Sequence, residues 1–494
     1  MWHGSRREFL RTTALAAAAG GTALAWRPAG GHQSDEGGRD ERRVRQDAAV
    51  TVLDPRTRVP LSFIIDDSTC LVNMGHFCMP QFAAAWPDRE AYRRPWKNWP
   101  REIPDAFVRE FGEWCAGHGV KGKYSIVPYP ACVGWLDRDL PGWPRRELLD
   151  SLKLVRELLL PNWDIHPEMI THTRVIDLKT GRPFEEISAA TMENSYPQSK
   201  QSVDELAAYL AYALRILKNC ELPCEGITTP GGFGNMVKTE LPLAVQQAVG
   251  DVYAAEIPHY FKYVAGGAES TEPKLEHVSG LARNVGRGST PSEAGRAPTP
   301  SVGATSSTPS SPRLTVNVPA GTGDWFGGWD GDEPSQGRRY ANDDATSGRM
   351  VELIERGQPA LMLCHWPGMY THGTKQGFED FKRVVVALEG RFKDRTLWMK
   401  LSEIARYWAA KELTQIEKNG GTVTLTAPFA CPDFTLRIAG RAAAAPRVSA
   451  GGQPQPLEEV TAASRLKSGT WLRERDAVVC CFGLVRGSTQ VEIA

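Results

Sequence analysis

The chain has no excess of charge of either sign and almost no long apolar runs. In its 494 residues, 58 Lys and Arg balance 58 Asp and Glu, so no overall field favours nucleic acid or an anionic membrane. The one long apolar stretch, residues 12–25, is too short and too rich in alanine for a good membrane span. We therefore expect a soluble protein with no nucleic-acid partner and no integral membrane segment.

The ten cysteines lack the spacing of a zinc ribbon. In an oxidising compartment Cys70 could pair with Cys78, and Cys220 with Cys224. Buried free thiols are an equally good interpretation. The sequence leaves the pairing open.

The N-terminus has the pattern of an export signal. Ser5-Arg-Arg-Glu-Phe-Leu-Arg11 precedes the apolar stretch, which ends in Ala23-Leu-Ala25. Paired arginines, a moderately apolar segment and an A-x-A site resemble a twin-arginine signal. The resemblance implies removal of residues 1–25 and a periplasmic or extracellular location, with a basic cytosolic N-terminus as the alternative. We expect residues 26–58 to be a flexible leader.

The rest of the chain divides by pattern into three segments. From residue 59 to about 411, short apolar runs alternate with amphipathic helices, which predicts a parallel sheet, open or closed as a barrel. Within it, residues 266–312 are rich in Gly, Ser, Thr and Pro and predict a disordered insertion. Residues 414–494 alternate like antiparallel strands and predict a small β-sandwich-like appendage. The predicted fold class of the whole chain is therefore α/β with a β-rich C-terminal part.

Candidate functional residues follow the predicted strands. Leu61–Ile65 is an apolar run that ends in Asp66 and Asp67, and neighbouring carboxylates are costly unless a cation or a shared proton relieves them. A helix cap or a surface turn is the alternative for this pair. The other strand-end groups are His166 to His172, Thr229-Pro-Gly-Gly-Phe-Gly234, Gly323-Asp-Trp325 and His365.

This order of groups resembles the polysaccharide deacetylase (NodB-like) family of carbohydrate esterases. Phe63-Ile-Ile-Asp66-Asp67 is similar to the first family motif, and Leu361-Met-Leu-Cys-His365 to the last. The resemblance covers about residues 59–410 without the insertion, and it implies a distorted (β/α) barrel. The remaining motifs are matched by His166 and His172, by Thr228-Thr-Pro230-Gly231-Gly232, and by Asp324-Trp325.

The resemblance also implies roles for these residues. Asp67, His166 and His172 would hold one divalent ion, Zn²⁺ being our first choice. Asp66 would accept a proton from water, and His365 would protonate the leaving group. Substrate contacts are implied for Pro230, Gly231, Gly232, Asp324 and Trp325, with backbone N–H groups of the glycine turn near the oxyanion.

Two positions depart from the family pattern. The family's histidines are four residues apart, whereas His166 and His172 are six apart. On a straight strand they would be about 20 Å apart, and a helical turn would reduce the rise to roughly 9 Å. Without such a turn His166 would serve alone or with Glu168. Thr228 stands where the family has an Arg that orients the catalytic Asp.

The sequence therefore predicts an exported, metal-dependent hydrolase that removes acyl groups, first of all N-acetyl, from a sugar or glycan. Two alternatives remain open. One is a non-catalytic carbohydrate-binding protein on the same fold. The other is a glycoside hydrolase in which Asp66 and another acid form a carboxylate pair without metal. The tryptophan-rich segments 68–102 and 128–144 are expected to form the walls of the cleft.

Overall fold

The computed structural model of the protein describes residues 44–280 and 312–493. The predicted signal at 1–25, most of the predicted leader and residues 281–311 of the predicted insertion lie outside this part of the chain. Within it, no helix has the combination of length and apolar character that crossing a membrane requires.

Strands and helices alternate between residues 59 and 413, largely where the apolar pattern predicts them. The first twelve strands are β1 Val50–Val52, β2 Val59–Asp66, β3 Gly122–Ser125, β4 Trp163–His166, β5 Ile176–Asp177, β6 Arg182–Pro183, β7 Gly226–Thr228, β8 His259–Phe261, β9 Lys274–Ser279, β10 Arg313–Asn317, β11 Ala360–His365 and β12 Thr396–Trp398. The helices are α1 Met74–Ala85, α2 Asp105–Gly117, α3 Arg145–Leu154, α4 Val203–Asn219, α5 Glu240–Tyr253, α6 Arg349–Glu355, α7 Trp366–Tyr370, α8 Gln376–Phe392 and α9 Leu401–Leu413.

Two largely parallel sheets form the centre of the α/β region. The first has the order β11-β2-β3-β4, with β12 beside the start of β2, and the second has the order β7-β8-β10-β9, with β9 antiparallel. Single bridges connect their edges, from Glu168 to Thr228 and from Asp324 to Leu363. No continuous ladder closes the described strands into one barrel, so the closed (β/α) barrel stays a prediction.

Burial explains why β2 lies at the centre. All eight of its residues are buried, as is usual for a strand covered on both faces. The ring of Phe63 stacks on Phe381 of α8 at a centroid distance of 4.4 Å, while Ile64 belongs to the core on the other side of the sheet. The carboxyl end of β2 is therefore held firmly by packing on both sides.

The structure differs from the predicted elements at several places. An apolar pattern over residues 252–257 indicates a strand, but helix α5 continues to Tyr253 and β8 begins only at His259. Helix α1 lies inside the tryptophan-rich segment 68–102, where the pattern indicates no helix; Pro80 within it hides the helical pattern. Strand β9 lies inside the predicted insertion.

Strand β1 lies within the predicted leader and pairs with the C-terminal region. Val50 and Val52 are buried with Thr51 exposed between them, the alternation of a half-buried edge strand. In the antiparallel register Val50 lies opposite Ile438. Residues 44–58 are thus an ordered part of the fold.

The C-terminal residues form two five-stranded sheets, β1-β15-β20-β19-β18 and β13-β14-β21-β16-β17. Buried side chains of both sheets belong to one apolar core, which also contains Tyr407 and Trp408 of α9. Helix α9 therefore connects the two parts of the molecule. The strands are β13 Gln415–Asn419, β14 Thr422–Ala427, β15 Cys431–Ala439, β16 Arg447–Ala450, β17 Gln453–Gln455, β18 Glu458–Val460, β19 Thr470–Arg473, β20 Ala477–Leu484 and β21 Gly487–Glu492.

All ten cysteines are free thiols, and nine of them are buried. The interpretation as buried thiols therefore describes the structure, and neither of the two considered pairs is bonded.

One partly buried acid near the start of β2 gives a pH-dependent prediction. Burial raises the pKa of Asp54 from 3.8 to about 6; Lys411, with its ammonium 3.9 Å away, lowers it, and Glu272 raises it. A raised folded-state pKa means that the stabilisation by the protonated acid is complete below pH 4 and is lost as the pH rises through 6. We expect Asp54→Asn to raise the free energy of unfolding at pH 7.5 by about 2–3 kcal/mol, with no gain near pH 4.

Denaturant unfolding at the two pH values checks this expectation. Asp476→Asn, at a carboxylate whose side chain is 80% exposed, controls for the substitution itself. An equal change in stability for Asp54→Asn at both pH values would contradict the explanation from burial.

Candidate active site

The predicted catalytic pair lies together at the carboxyl ends of two adjacent strands. In the parallel ladder of β2 and β11, Asp66 is directly opposite His365. Asp67 follows β2 with φ 57°, a left-handed conformation that turns the chain sharply. The three side chains are buried, with residue exposures of 5%, 9% and 1% for Asp66, His365 and Asp67. The structure thus brings these three predicted residues to one buried place.

A set of three ligating side chains lies beside Asp66. Ligand atoms of Asp67, Glu168 and His172 are all within 4.8 Å of one another. His172 Nε2 is 2.7 Å from Asp67 Oδ1 and 3.4 Å from Glu168 Oε1, and the Asp67 backbone N–H donates to Glu168 Oε2 at 2.8 Å. Two carboxylates and one imidazole form a donor set suited to Zn²⁺ or a similar divalent ion.

An unsatisfied atom supports this assignment. Asp67 Oδ1 is buried and has no hydrogen-bond partner in the described part of the chain, although His172 Nε2 is only 2.7 Å away. The two atoms therefore point toward a common place without a well-directed hydrogen between them, as ligands of one ion do. The charge of Asp67 raises the pKa of His172 well above its usual value, against the lowering by burial. A divalent ion would replace that proton.

His166 is not part of this set, which corrects the predicted ligands. Its Nε2 is 3.0 Å from Nε2 of His259, and its Nδ1 is 3.4 Å from Thr228 Oγ1. His166 is the last residue of β4 and lies between the sheets, while Glu168, two residues farther along the chain, bridges Thr228 and reaches the strand ends. Residues 169–173 form bends instead of the helical turn that we considered.

Glu193 holds the bend that carries His172. Its carboxylate accepts from the backbone N–H groups of Ile170, Thr171 and His172, at 3.1, 3.0 and 2.6 Å, and from the Tyr209 hydroxyl at 2.6 Å. Burial raises the pKa of Glu193 to about 7, although the Tyr209 hydroxyl and the backbone N–H groups lower it. This side chain fixes the left-handed conformation of His172 (φ 63°).

Lys123 of β3 neutralises Asp66. Its side chain has no exposed surface, and its Nζ contacts Asp66 Oδ1, the Ile65 carbonyl at 3.0 Å and Ser125 Oγ at 2.7 Å. Burial and the charge of Glu168 raise the pKa of Asp66 to about 6, while Lys123 and His365 lower it. Lys123 thus supplies a cation beside Asp66 that the sequence pattern does not predict.

Asp324 holds His365 in place, so its role differs from the substrate contact that the sequence predicts for it. Its Oδ2 accepts from His365 Nδ1 at 2.8 Å and from the His365 backbone N–H at 3.2 Å. Burial lowers the pKa of His365, but the hydrogen bond to Asp324 and the charges of Asp67, Asp324 and Asp66 together raise it to about 10. Nδ1 is committed to Asp324, and the imidazolium carries its second proton on Nε2.

The other predicted substrate residues lie in two different surroundings. Gly231 and Gly232 face Asn194, so close that a side chain at Gly232 would overlap with its carbonyl oxygen. Pro230 is buried beside them. The Trp325 ring packs against Tyr340 at 4.9 Å. None of the described contacts of Pro230, Gly231 and Gly232 reaches the carboxylates of the candidate site, so the substrate role of this turn stays a prediction.

Aromatic side chains surround the Asp67–Glu168–His172 set, as expected from the tryptophan-rich segments. The Phe82 ring is 6.2 Å from the His172 ring and 5.3 Å from that of Trp329. Tyr92 packs on both Phe82 and Trp329. Next to them, Arg94 forms ion pairs with Asp330, Asp332 and Glu333 and thereby joins two loops.

Sequence reasoning did not find Lys123 and Glu193, and it gave Glu168 only a secondary place. A signal was present for Lys123, because a lysine in a short buried strand needs a partner. Glu193 lies in a segment without periodicity, where nothing in the sequence distinguishes it from a surface acid.

The buried ion pair gives a stability prediction with a control two residues away. Lys123→Met leaves the Asp66 carboxylate buried without its cation, and we expect a loss of about 3–5 kcal/mol in the free energy of unfolding. Lys121→Met removes a partly exposed pair with Glu403 and should cost about 1 kcal/mol or less. Denaturant titration measures both values.

A double variant separates the charge from the packing. Adding Asp66→Asn to Lys123→Met removes the unpaired charge, so stability should partly recover. Equal losses for the two lysine variants, or no recovery in the double variant, would show that the pair has little importance.

Comparisons with known proteins leave the family of this chain open. No protein-family model matches it, and no curated protein matches it. Among solved structures, an alpha-L-fucosynthase of Thermotoga maritima aligns over 90% of this chain and 97% of its own length, with 11% identity and a TM-score of 0.26. A similarity at this level carries no argument about fold or function.

Proposed function

We propose that the protein is a metal-dependent hydrolase that removes acyl groups from a sugar or glycan, with N-acetyl groups as the first choice. The observation that carries the proposal is the convergence of three units at the ends of β2, β4 and β11. These are the Asp67–Glu168–His172 set, the Asp66–Lys123 pair and the His365–Asp324 pair.

The first unit provides the ion site. When bound by Asp67, Glu168 and His172, a divalent ion would polarise an acyl oxygen and lower the pKa of a water molecule to about 7. Charge balance also favours a dication. Among the residues that the structure describes, two cations pair with the carboxylates of Asp66, Asp67, Glu168 and Asp324 when His172 is neutral, namely Lys123 and protonated His365. Two negative charges then remain to be neutralised.

The second unit provides the base. Asp66 is next to the ion site but is not one of its three ligands, because it bonds to Lys123 instead. Its carboxylate can therefore accept a proton from an attacking water molecule. Lys123 prevents Asp66 from rotating because its three donors are directed at Asp66, Ile65 and Ser125. The carboxylate is therefore fixed before substrate enters. A catalytic group that is already in position lowers the activation barrier, because no entropy is lost in ordering it during the reaction.

The third unit provides the acid. His365 keeps its proton near neutral pH because Asp324 and the neighbouring carboxylates stabilise the imidazolium. The nitrogen that Asp324 does not hold can donate to the leaving amine or alkoxide. A base and an acid with different environments, on adjacent strands, are the arrangement that hydrolysis of an amide or ester requires.

The aromatic walls support a sugar as the substrate. Phe82, Tyr92 and Trp329 lie beside the ion site, and aromatic faces suit the flat C–H faces of sugar rings. Export by the twin-arginine route, which carries folded proteins, agrees with an ion bound before secretion, and it belongs to the same proposal.

Two neighbouring substitutions test the division of roles. Asp67→Asn should remove the metal equivalent at this centre and with it the activity. Asp66→Asn should keep that equivalent and lower kcat by at least about 100-fold. Elemental analysis of folded, signal-less protein gives the metal content, and acetate release from N-acetylated oligosaccharides gives the activity.

The outcomes distinguish the alternatives. Equal metal loss in both variants would refute separate roles for the two acids. Glycan binding without acetate release would favour a carbohydrate-binding protein, and cleavage of glycosidic bonds by metal-free protein would favour a glycoside hydrolase. Glu102→Gln, at an acid that accepts from the Trp143 indole, serves as a control for loss of a partly buried carboxylate outside the three units.

A further inference from the structure

A second set of ligating side chains lies between the two parallel sheets, nearer the middle of the strands than the proposed active site. Ligand atoms of Asp164, His166 and His259 are all within 4.8 Å of one another. Both histidines have no exposed surface. The proposed reaction uses none of the three residues.

The two imidazoles face each other through the same atom. His166 Nε2 and His259 Nε2 are 3.0 Å apart. The second ring nitrogens have different surroundings. His166 Nδ1 lies 3.4 Å from Thr228 Oγ1, an oxygen that can hold a metal-binding histidine in orientation. His259 Nδ1 is buried and has no hydrogen-bond partner among the described residues.

The spacing suits one ion between the two nitrogens. Two histidine nitrogens at 2.0–2.1 Å from a tetrahedral Zn²⁺ ion lie about 3.3 Å apart. The observed pair needs only a small opening to reach this distance. Without an ion, one nitrogen must donate to the other, which leaves a simple hydrogen bond between two neutral rings.

Gly226 leaves space beside both nitrogens. A Cβ atom at this position of β7 would overlap with Nε2 of His166 and with Nε2 of His259. Its φ is outside the left-handed region, so the backbone itself does not require glycine here. Glycine is needed at this position because the two imidazole rings, and any ion between them, occupy the space that a Cβ atom would take.

The third donor is anchored by helix α9. The two oxygens of Asp164 accept from Ser402, from its backbone N–H at 2.6 Å and from its hydroxyl at 2.8 Å. Each carboxylate oxygen keeps a further lone pair. The charge of the nearby Lys123 ammonium lowers the pKa of His166. Asp66 forms an ion pair with this ammonium and neutralises it.

We propose that Asp164, His166 and His259 bind a second divalent transition-metal ion, with Zn²⁺ as the first choice and one position left for water. Such an ion would join β4 of the first sheet to β8 of the second. At this seam the described ladder has only the single bridge from Glu168 to Thr228. The site is therefore structural, and its presence does not depend on the proposed reaction.

Metal content in a background without the first site tests the proposal. Folded Asp67→Asn protein, dialysed against Zn²⁺ and then against buffer, should retain about one equivalent, and the double variant Asp67→Asn/His259→Gln should retain none. Chelation should lower the melting temperature of Asp67→Asn and leave that of the double variant unchanged. Gly226→Ala in the same background keeps all donors and should also lose the ion.

Three results would overturn the proposal. The first is a folded Asp67→Asn protein that binds neither Zn²⁺ nor Co²⁺, which would leave a neutral histidine pair. The second is an equivalent that persists in the double variant, because the ion would then lie elsewhere. The third is an equivalent that persists in Gly226→Ala. If Asp67→Asn does not fold, His172→Gln provides the same background, and circular dichroism confirms folding in each case.

Discussion

The ion pair between Asp66 and Lys123 is the interaction on which the strand ends depend. Asp66, Asp67 and Glu168 bring three carboxylates into one buried place, and burial alone would force protons onto them. Lys123 enters from the neighbouring strand with its entire side chain buried. It neutralises one acid and also bonds to the Ile65 carbonyl. The other two acids are then available for a ligand of opposite charge.

Packing and charge act together around this pair. Phe63 and Ile64 hold β2 from its two faces, so Asp66 cannot move away from Lys123 without disturbing the core. On the other edge of β2, the ladder with β11 fixes His365 opposite Asp66. The chemistry of the candidate site is therefore set by strand register more than by loops. The bend at His172 is the exception, and Glu193 takes over the ordering there.

The order of elements could be predicted from sequence because apolar runs and amphipathic helices alternate regularly. The positions of Asp66, Asp67 and His365 followed, since residues after parallel strands meet at one edge. His166 was assigned to the wrong neighbours because its contacts, Thr228 and His259, depend on which strands lie beside β4, and a local pattern does not give strand order. Lys123 and Asp324 form contacts that depend on strand order, and no single stretch of sequence contains that information.

Strand β1 has a consequence for how the chain reaches its final state. Val50 pairs with Ile438, nearly four hundred residues later in the sequence. Ribosomes add about 5–20 residues per second, so this N-terminal strand waits on the order of tens of seconds for its partner to be made. Until then the edge of β1 has no neighbour from the sheet it joins. Pairing of β1 therefore requires nearly the whole chain, and this strand stays without its sheet neighbour until the C-terminal strands have been synthesised.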